Sequence, residues 1–299
     1  MIPVAAQDIR TLAESVLMRL VSYLDNGVET LGVVTGSTVV AARDAGGPAT
    51  MRDLLDGGQP ALEALRSATG PGRPLDEVEL LAPLPRPTNV ICVGRNYAEH
   101  AEEEGKNAPE APALFLKTTT SVVGPGADIR WDPAYTGQVD YEAELAVIIG
   151  SPARHVSPDR ALEHVLGYTC LNDVSARDLQ FSDLQWSRGK SLDTFCPMGP
   201  ELVTELADPQ RLEIRCELNG EVVQRSNTAL MYHSIAQVIA YCSRALTLQP
   251  GDVIATGTPG GVGIFRDPPR LLGDGDEVAV EVEGVGRLVN RCRTEGSHG

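Results

Sequence analysis

The sequence predicts an α+β fold that is β-rich, with a few helices packed on a curved sheet. Three observations predict it. Thirty Gly and 21 Pro are spread along 299 residues, so the chain is cut into many turns and short elements rather than a helical bundle. Apolar residues make up 42% of the chain, enough for a core of ordinary size, although aromatics are only 4%. The apolar runs are short, and several alternate with polar residues at the spacing of a half-buried strand. The length suits two domains or one large one.

Taken in order, Leu12, Val16, Leu17, Leu20, Val21 and Leu24 form a stripe that predicts a helix over 9–24, ended by Asp25-Asn26-Gly27. LGVV and STVVAA, split by Thr35-Gly36-Ser37, predict a hairpin. Two short helices follow at 51–55 and 61–67. Pro71, Pro74, Pro83, Pro85 and Pro87 then punctuate the chain, and a domain boundary is expected within 72–88, near residue 80. Strands are predicted at 89–93, 114–117, 141–149 and 167–171. Ser157-Pro158 reads as a helix start, with Pro at the first helical position. Residues 212–218 alternate, Asn219-Gly220 is a favoured hairpin turn, and 221–225 return. An amphipathic helix is expected over 235–246, then strands at 252–255, 277–282 and 287–290.

The chain carries 25 Lys and Arg against 41 Asp and Glu, a net charge of −16 with pI near 4.7. No basic stripe stands out, which argues against nucleic-acid or anionic-membrane partners. A small anionic ligand remains compatible, because one local cation can dominate a site. Asp8, Arg10 and Glu14 interrupt the N-terminal run where a signal peptide needs apolar residues, and 145–149 is too short to cross a bilayer. The six cysteines are scattered without a CxxC pair, as buried free thiols in a reducing cytoplasm are.

The best chemical signal is VDYEAELAVIIG, residues 139–150. On one continuous strand, Asp140, Glu142 and Glu144 share a face. Three carboxylates entering a core repel one another, and a hard divalent cation offsets that cost. The alternative is a solvated edge of an acidic protein. GYTCLNDVSARDLQ brings Asp173 to a strand end, either as a ligand or as the cap of a helix starting at Val174. Convergence of Glu142, Glu144 and Asp173 would make an all-oxygen site suited to magnesium or manganese rather than zinc. In GRNYAEHAEEEG, His100 and Glu103 meet on one helix face, as a carboxylate-oriented base would; a surface His in a Glu-rich helix is the alternative. Lys190 in RGKSLDT is a candidate for binding a carboxylate or enolate, or a surface Lys. ATGTPGGVG is a Gly-rich turn with Thr256 and Thr258 hydroxyls, and it lacks the Gly-Lys-Ser/Thr ending of a phosphate loop.

Taken together, APLPRPTNVICVGRNYAEHAEE, DYEAELAVIIG, GYTCLNDVSARDLQ, GKSLDTFCPMGP, the stretch from LNGEVVQ to TGTPGGVG, and LGDGDEVAVEVEGVGRLVN resemble the fumarylacetoacetate hydrolase family over roughly 82–292. The resemblance implies a mixed β-sandwich roll over 81–299, with a smaller, variable N-terminal α/β domain over 1–80, assembled as a homodimer. It implies Mg2+ or Mn2+ held by Glu142, Glu144 and Asp173; Asp140 is not counted as a ligand. It implies a water-activating pair of His100 and Glu103, with Glu104 as the competing partner of His100. Lys190 is implied as catalytic, and Arg177, Gln180, Thr258 and Arg95 as substrate contacts.

The substrates that the resemblance implies are small anionic 2-oxo or diketo acids. The leading expectation is a metal-dependent hydrolase cleaving a carbon–carbon bond in an acylpyruvate-like or 1,3-diketo acid. The alternative is a decarboxylase of oxaloacetate type or an enol–keto isomerase of aromatic catabolism. A third is a non-catalytic, ligand-binding member of the family.

Overall fold

The fold opens on a hairpin. In a computed structural model describing residues 17–103, 105, 107 and 109–296, β1 (Arg19–Asp25) pairs antiparallel with β2 (Val28–Thr35). Asn26 and Gly27 between them take φ of 52° and 79°, the left-handed pair that a two-residue hairpin turn requires. The helix expected over 9–24 is therefore corrected from residue 19 onward; residues 9–16 lie outside the described ones. The spacing of Leu20, Val21 and Leu24 is compatible with both periods. The neighbouring strand decides between them: Leu20 enters the main core cluster of this region, while Val21 and Tyr23 face Val34 and Val39 on the other side of the ribbon.

β3 (Thr38–Ala41) completes the expected second hairpin. Helix α1 (Met51–Leu65) is capped by a reciprocal Thr50–Asp53 box and breaks at Gly58, whose φ of 58° and ψ of −148° are not helical. This matches the two short helices that the sequence suggests.

Later elements match the expected strands and helices and add four that were not expected, at 128–131, 177–182, 187–190 and 196–203. They are β4 (Val90–Gly94), α2 (Ala98–Glu103), β5 (Ala113–Lys117), β6 (Asp128–Trp131), β7 (Ala143–Ile149), β8 (Val165–Asn172), α3 (Arg177–Ser182), α4 (Ser187–Lys190) and β9 (Cys196–Val203). Then come β10 (Glu213–Leu218), β11 (Glu221–Asn227), α5 (Ile235–Ala245), β12 (Val253–Ala255), β13 (Glu277–Val282) and β14 (Gly286–Thr294). Pro158–Ala161 is a single helical turn with Pro at its start, and Ser157 makes no side-chain cap to it.

One large sheet runs β3-β2-β1-β9-β8-β7-β12-β4-β5, and a second, five-stranded sheet runs β11-β10-β13-β14-β6. The β12–β4 pair is parallel, and its neighbours β7 and β5 are antiparallel to it. β7 lies in the middle of the large sheet and is buried on both faces. Leu145, Val147 and Ile149 pack towards the five-stranded sheet and α5, while Ala146 and Ile148 pack towards α1. That is why the run reads as unbroken apolar sequence. Among the described residues no helix is long and apolar enough to cross a membrane.

Candidate active site

The carboxylates arrive from two neighbouring strands. β7 and β8 are antiparallel with Ala143 opposite Asn172, so the start of one meets the end of the other. Glu142 precedes β7, Glu144 is its second residue, and Asp173 follows β8. The Asp173 N–H donates to the Glu142 carbonyl at 2.9 Å. All three side chains are buried, and one carboxylate oxygen from each lies within 4.8 Å of the others. Asp173 caps no helix: Ser175–Ala176 after it is extended and pairs with Val139–Asp140.

That pairing corrects the expectation of one continuous strand face over 140–144. The chain leaves the ladder between Asp140 and Ala143, and the Glu142 N–H is taken by Asn172 Oδ1 at 3.0 Å. Asp140 is thereby separated from the other carboxylates. Its Oδ1 accepts from the Gly263 N–H at 2.8 Å, and its Oδ2 from the Ile264 N–H at 3.0 Å and from Arg177 Nε at 2.9 Å. Asp140 pins a loop and an arginine. The packing there is close: a Cβ on Gly263 would lie 2.1 Å from the Arg270 carbonyl oxygen and 2.6 Å from Asp140 Oδ1. Gly263→Ala is expected to cost about 1–3 kcal/mol, read as a lower urea midpoint; an unchanged midpoint would show that this loop can give way.

Among the described residues, three Lys and Arg side chains face the cluster. Lys190 Nζ lies 2.8 Å from Glu142 Oε2 and 3.0 Å from Asp173 Oδ2. Arg177 Nη1 lies 2.6 Å from Glu142 Oε1. Lys117 Nζ lies 2.5 Å from Asp173 Oδ1 and donates to the Val174 carbonyl at 3.1 Å. Burial alone would raise the Glu142 carboxyl, yet Lys190 and Arg177 outweigh it and hold the group well below the usual carboxylate range. Burial would likewise depress the Lys190 ammonium, but Asp173 and Glu142 keep it raised.

Glu144 is the exception. Its Oε2 accepts the Gly257 N–H at 2.7 Å, and among the described residues no cationic side chain forms an ion pair with it. Burial, and then the charges of Asp173 and Glu142, push its carboxyl well up. A buried carboxylate left against two others, in an all-oxygen set, fits a hard divalent cation among Glu142, Glu144 and Asp173.

The remaining expected residues are placed as follows. His100, Glu142, Lys190, Gln180, Thr258 and Arg95 line one narrow cleft. His100 is buried on α2, with Nδ1 3.7 Å from Glu103 Oε2. The other Glu103 oxygen accepts the Gly261 N–H at 2.6 Å, which ties α2 to the TGTPGG turn. Glu104 lies outside the described residues. Arg95, at φ 58°, stacks its guanidinium 5.0 Å from the centre of the Trp186 ring. Arg177 lies behind the cleft wall, tied through Nε and Nη1 to Asp140, Glu142 and Gln180, the last at 3.0 Å, while its buried Nη2 lies 2.9 Å from Asp140 Oδ2 without a well-formed hydrogen bond.

Two contributors were not expected from sequence. Lys117 ends β5, where Phe115 and Lys117 turn inward and Leu114 and Leu116 are exposed. Period-two alternation carries that signal once the exposed face is known to be the apolar one. Trp186 closes over Gly94, where a Cβ would stand 2.5 Å from the indole.

A family model described as Fumarylacetoacetate (FAA) hydrolase C-terminal matches residues 89–293. The chain is 45% identical over 251 residues to the human protein "Oxaloacetate tautomerase FAHD2A, mitochondrial", covering 82% of this chain and 80% of that protein. Among solved structures it is similar to 5-carboxymethyl-2-hydroxymuconate delta-isomerase from Mycobacterium smegmatis, with TM-score 0.77 and 42% identity over 94% of this chain and 100% of that one. It is also similar to fumarylacetoacetate hydrolase from Exiguobacterium antarcticum, with TM-score 0.78 and 40% identity over 93% of this chain and 100% of that one.

Proposed function

The chain belongs to the fumarylacetoacetate hydrolase family, and from that premise we propose that it is a divalent-metal-dependent enol–keto isomerase of a small 2-oxo dicarboxylic acid of the oxaloacetate class. The observation that carries this reading over the hydrolase expected first is the 45% identity to an oxaloacetate tautomerase over 82% of the chain. The similarity to a muconate isomerase supports it. Arg95 and Lys190 on the cleft wall suit an anionic substrate. Six buried free thiols suit a reducing compartment.

Glu142, Glu144 and Asp173 would hold Mg2+ or Mn2+. Such an ion, when bound, supplies Lewis-acid polarisation of a 2-oxo acid's carbonyl and carboxylate oxygens. The chain's own groups do the rest. Nδ1 of His100 lies 3.7 Å from Glu103, and the imidazole, on the cleft wall, would take or return a proton at the substrate. Lys190 and the Thr258 hydroxyl stabilise charge on the substrate oxygens as it develops, and the Gln180 amide adds a polar contact. Arg95, on the cleft wall, would meet a distal carboxylate.

A second reading, hydrolysis of an acylpyruvate, is favoured by the His100–Glu103 approach of 3.7 Å and by the likeness to a fumarylacetoacetate hydrolase. The two readings separate in one experiment. Enolic oxaloacetate and acetylpyruvate are offered in parallel to protein loaded with Mg2+ or Mn2+, and products are followed by proton NMR. The isomerase reading expects enol to become keto form faster than in buffer, with acetylpyruvate untouched. Acetate and pyruvate from acetylpyruvate, lost in His100→Ala while metal is still bound, would move the assignment to hydrolase. Pyruvate and carbon dioxide from oxaloacetate would make it a decarboxylase. Enol decay at the buffer rate sinks the isomerase reading.

A further inference from the structure

Gln224 lies in β11, inside the LNGEVVQ stretch but without a role assigned to it there, and its buried side chain joins two parts of the site. Its Oε1 accepts the Ala143 N–H at 2.9 Å, between Glu142 and Glu144. Its Nε2 donates to Thr258 Oγ1 at 2.8 Å and to the Pro259 carbonyl at 2.9 Å. The amide cannot be turned over. An N–H faces one end and a carbonyl oxygen the other, so Oε1 belongs to Ala143 and Nε2 to Thr258 and Pro259.

The consequence falls on Thr258. Its oxygen is obliged to accept from Gln224. Among the described residues, no protein acceptor is within hydrogen-bond distance of its own hydroxyl hydrogen. Thr258 is 2% exposed and lines the cleft with Lys190 and His100.

We infer that Gln224 is a positioning residue: by donating to Thr258 Oγ1 it commits the Thr258 hydroxyl to act as a donor into the cleft, towards the substrate oxygen that gains negative charge. This rests on the reading of Thr258 as a substrate contact given above. A hydroxyl free to rotate would spend part of its time accepting or pointing elsewhere. One held as a donor is organised before the charge develops, as donors that stabilise an oxyanion must be. Gln224 also ties the TGTP turn to the backbone between two candidate metal ligands, so donor and ion would be set in one frame.

The test uses Gln224→Glu, Gln224→Met, Thr258→Val and the Met/Val pair, with kcat, KM, melting temperature and Mn2+ affinity measured on each. In Gln224→Glu a carboxylate oxygen replaces the donor, so the Thr258 hydroxyl turns to donate to it and is withdrawn from the cleft. Thr258→Val and Gln224→Glu are each expected to lower kcat by about 100-fold, the low end for losing one such donor, with KM changed less than about threefold. Gln224→Met leaves the hydroxyl present but unaimed and is expected to cost roughly tenfold. Adding Gln224→Met to Thr258→Val should cost nothing further, because the hydroxyl it orients is already gone.

Full additivity in that pair overturns the inference, as does wild-type kcat in both Gln224 variants while Thr258→Val is impaired. Thr258→Val at the wild-type rate overturns the reading of Thr258 itself, and the orienting role with it. Should Gln224→Glu fail to fold, the Met series alone decides, and a fall in melting temperature or Mn2+ affinity in place of the kcat pattern marks Gln224 as merely structural.

Discussion

Asp173→Asn is expected to abolish cation binding and turnover together. The substitution keeps the shape of the side chain and removes one charge from a cluster whose three carboxylate oxygens lie within 4.8 Å of each other. A neutral amide oxygen is a poor substitute for a carboxylate towards a hard dication. Affinity should fall by at least about 100-fold, the upper end of what losing a mere supporting contact costs. Turnover should fall by on the order of 10^3-fold, since several kcal/mol of charge stabilisation go with the ion.

The fold should suffer as well. Lys117 is fully enclosed and has Asp173 as its only ion-pair partner among the described residues. Uncoupling a buried pair costs about 3–5 kcal/mol, and the Asn carbonyl, which still accepts from Lys117, keeps the loss near the lower bound. Calorimetric Mn2+ titration with a urea melt checks both parts. Wild-type affinity in the variant would show that the ion, if bound, sits elsewhere.

Lys190→Met should produce the opposite metal signature. Lys190 bridges Glu142 and Asp173, and among the described residues it alone of the buried Lys and Arg side chains reaches the cleft wall. Its loss leaves Glu142 with Arg177 and Asp173 with Lys117, so the metal-free fold should weaken by about 3 kcal/mol, again the lower bound for a broken buried pair. The carboxylates then carry one positive neighbour fewer. At an effective dielectric of 20, a unit charge about 5 Å away is worth roughly 3 kcal/mol. Cation affinity should therefore rise by at least about tenfold, and the melting temperature should climb further on adding Mn2+ than it does for the wild type. Turnover should nonetheless fall by about 10^2–10^3-fold, because the group that meets charge on the substrate is gone. Loss of turnover with unchanged metal affinity would mean that Lys190 does not neutralise the site.

The contrast shows what the sequence could and could not disclose. Glu142, Glu144 and Asp173 were legible because each stands at the end of an apolar strand, the first two where β7 begins and the third just after β8, and because several ordered motifs surround them. The hairpin at Asn219-Gly220 and the buried run of β7 were legible from turn chemistry and apolar continuity.

The break in the ladder after Asp140 was not, since D-Y-E-A-E alternates as an intact strand would. What diverts Asp140 is the Gly263 and Ile264 amides, more than 120 positions away. Lys117 escaped notice for the same reason: nothing in ALFLK says that Asp173, 56 residues on, will enclose it. Gln224 reads as one polar residue in an alternating strand, and only its contacts with Ala143 and Thr258 distinguish it. Arg177 was legible as important, but its ties to Asp140, Glu142 and Gln180 were not. Leu20 and Val21 looked helical because their spacing fits two periods, and a partner strand supplied the choice.

The central claim is that three carboxylates from β7 and β8 hold a divalent cation on which enol–keto conversion depends. It is tested most directly on chelator-treated protein titrated with Mn2+. Bound ion is read by the loss of the free Mn2+ electron paramagnetic resonance signal, and the enol-to-keto rate of oxaloacetate is measured in the same samples. One bound Mn2+ per chain, with the rate rising in proportion to occupancy and Glu144→Gln abolishing both, is the result predicted. A metal-free protein that converts the enol at the full rate, or Mn2+ that stays free while the rate is unchanged, would contradict it.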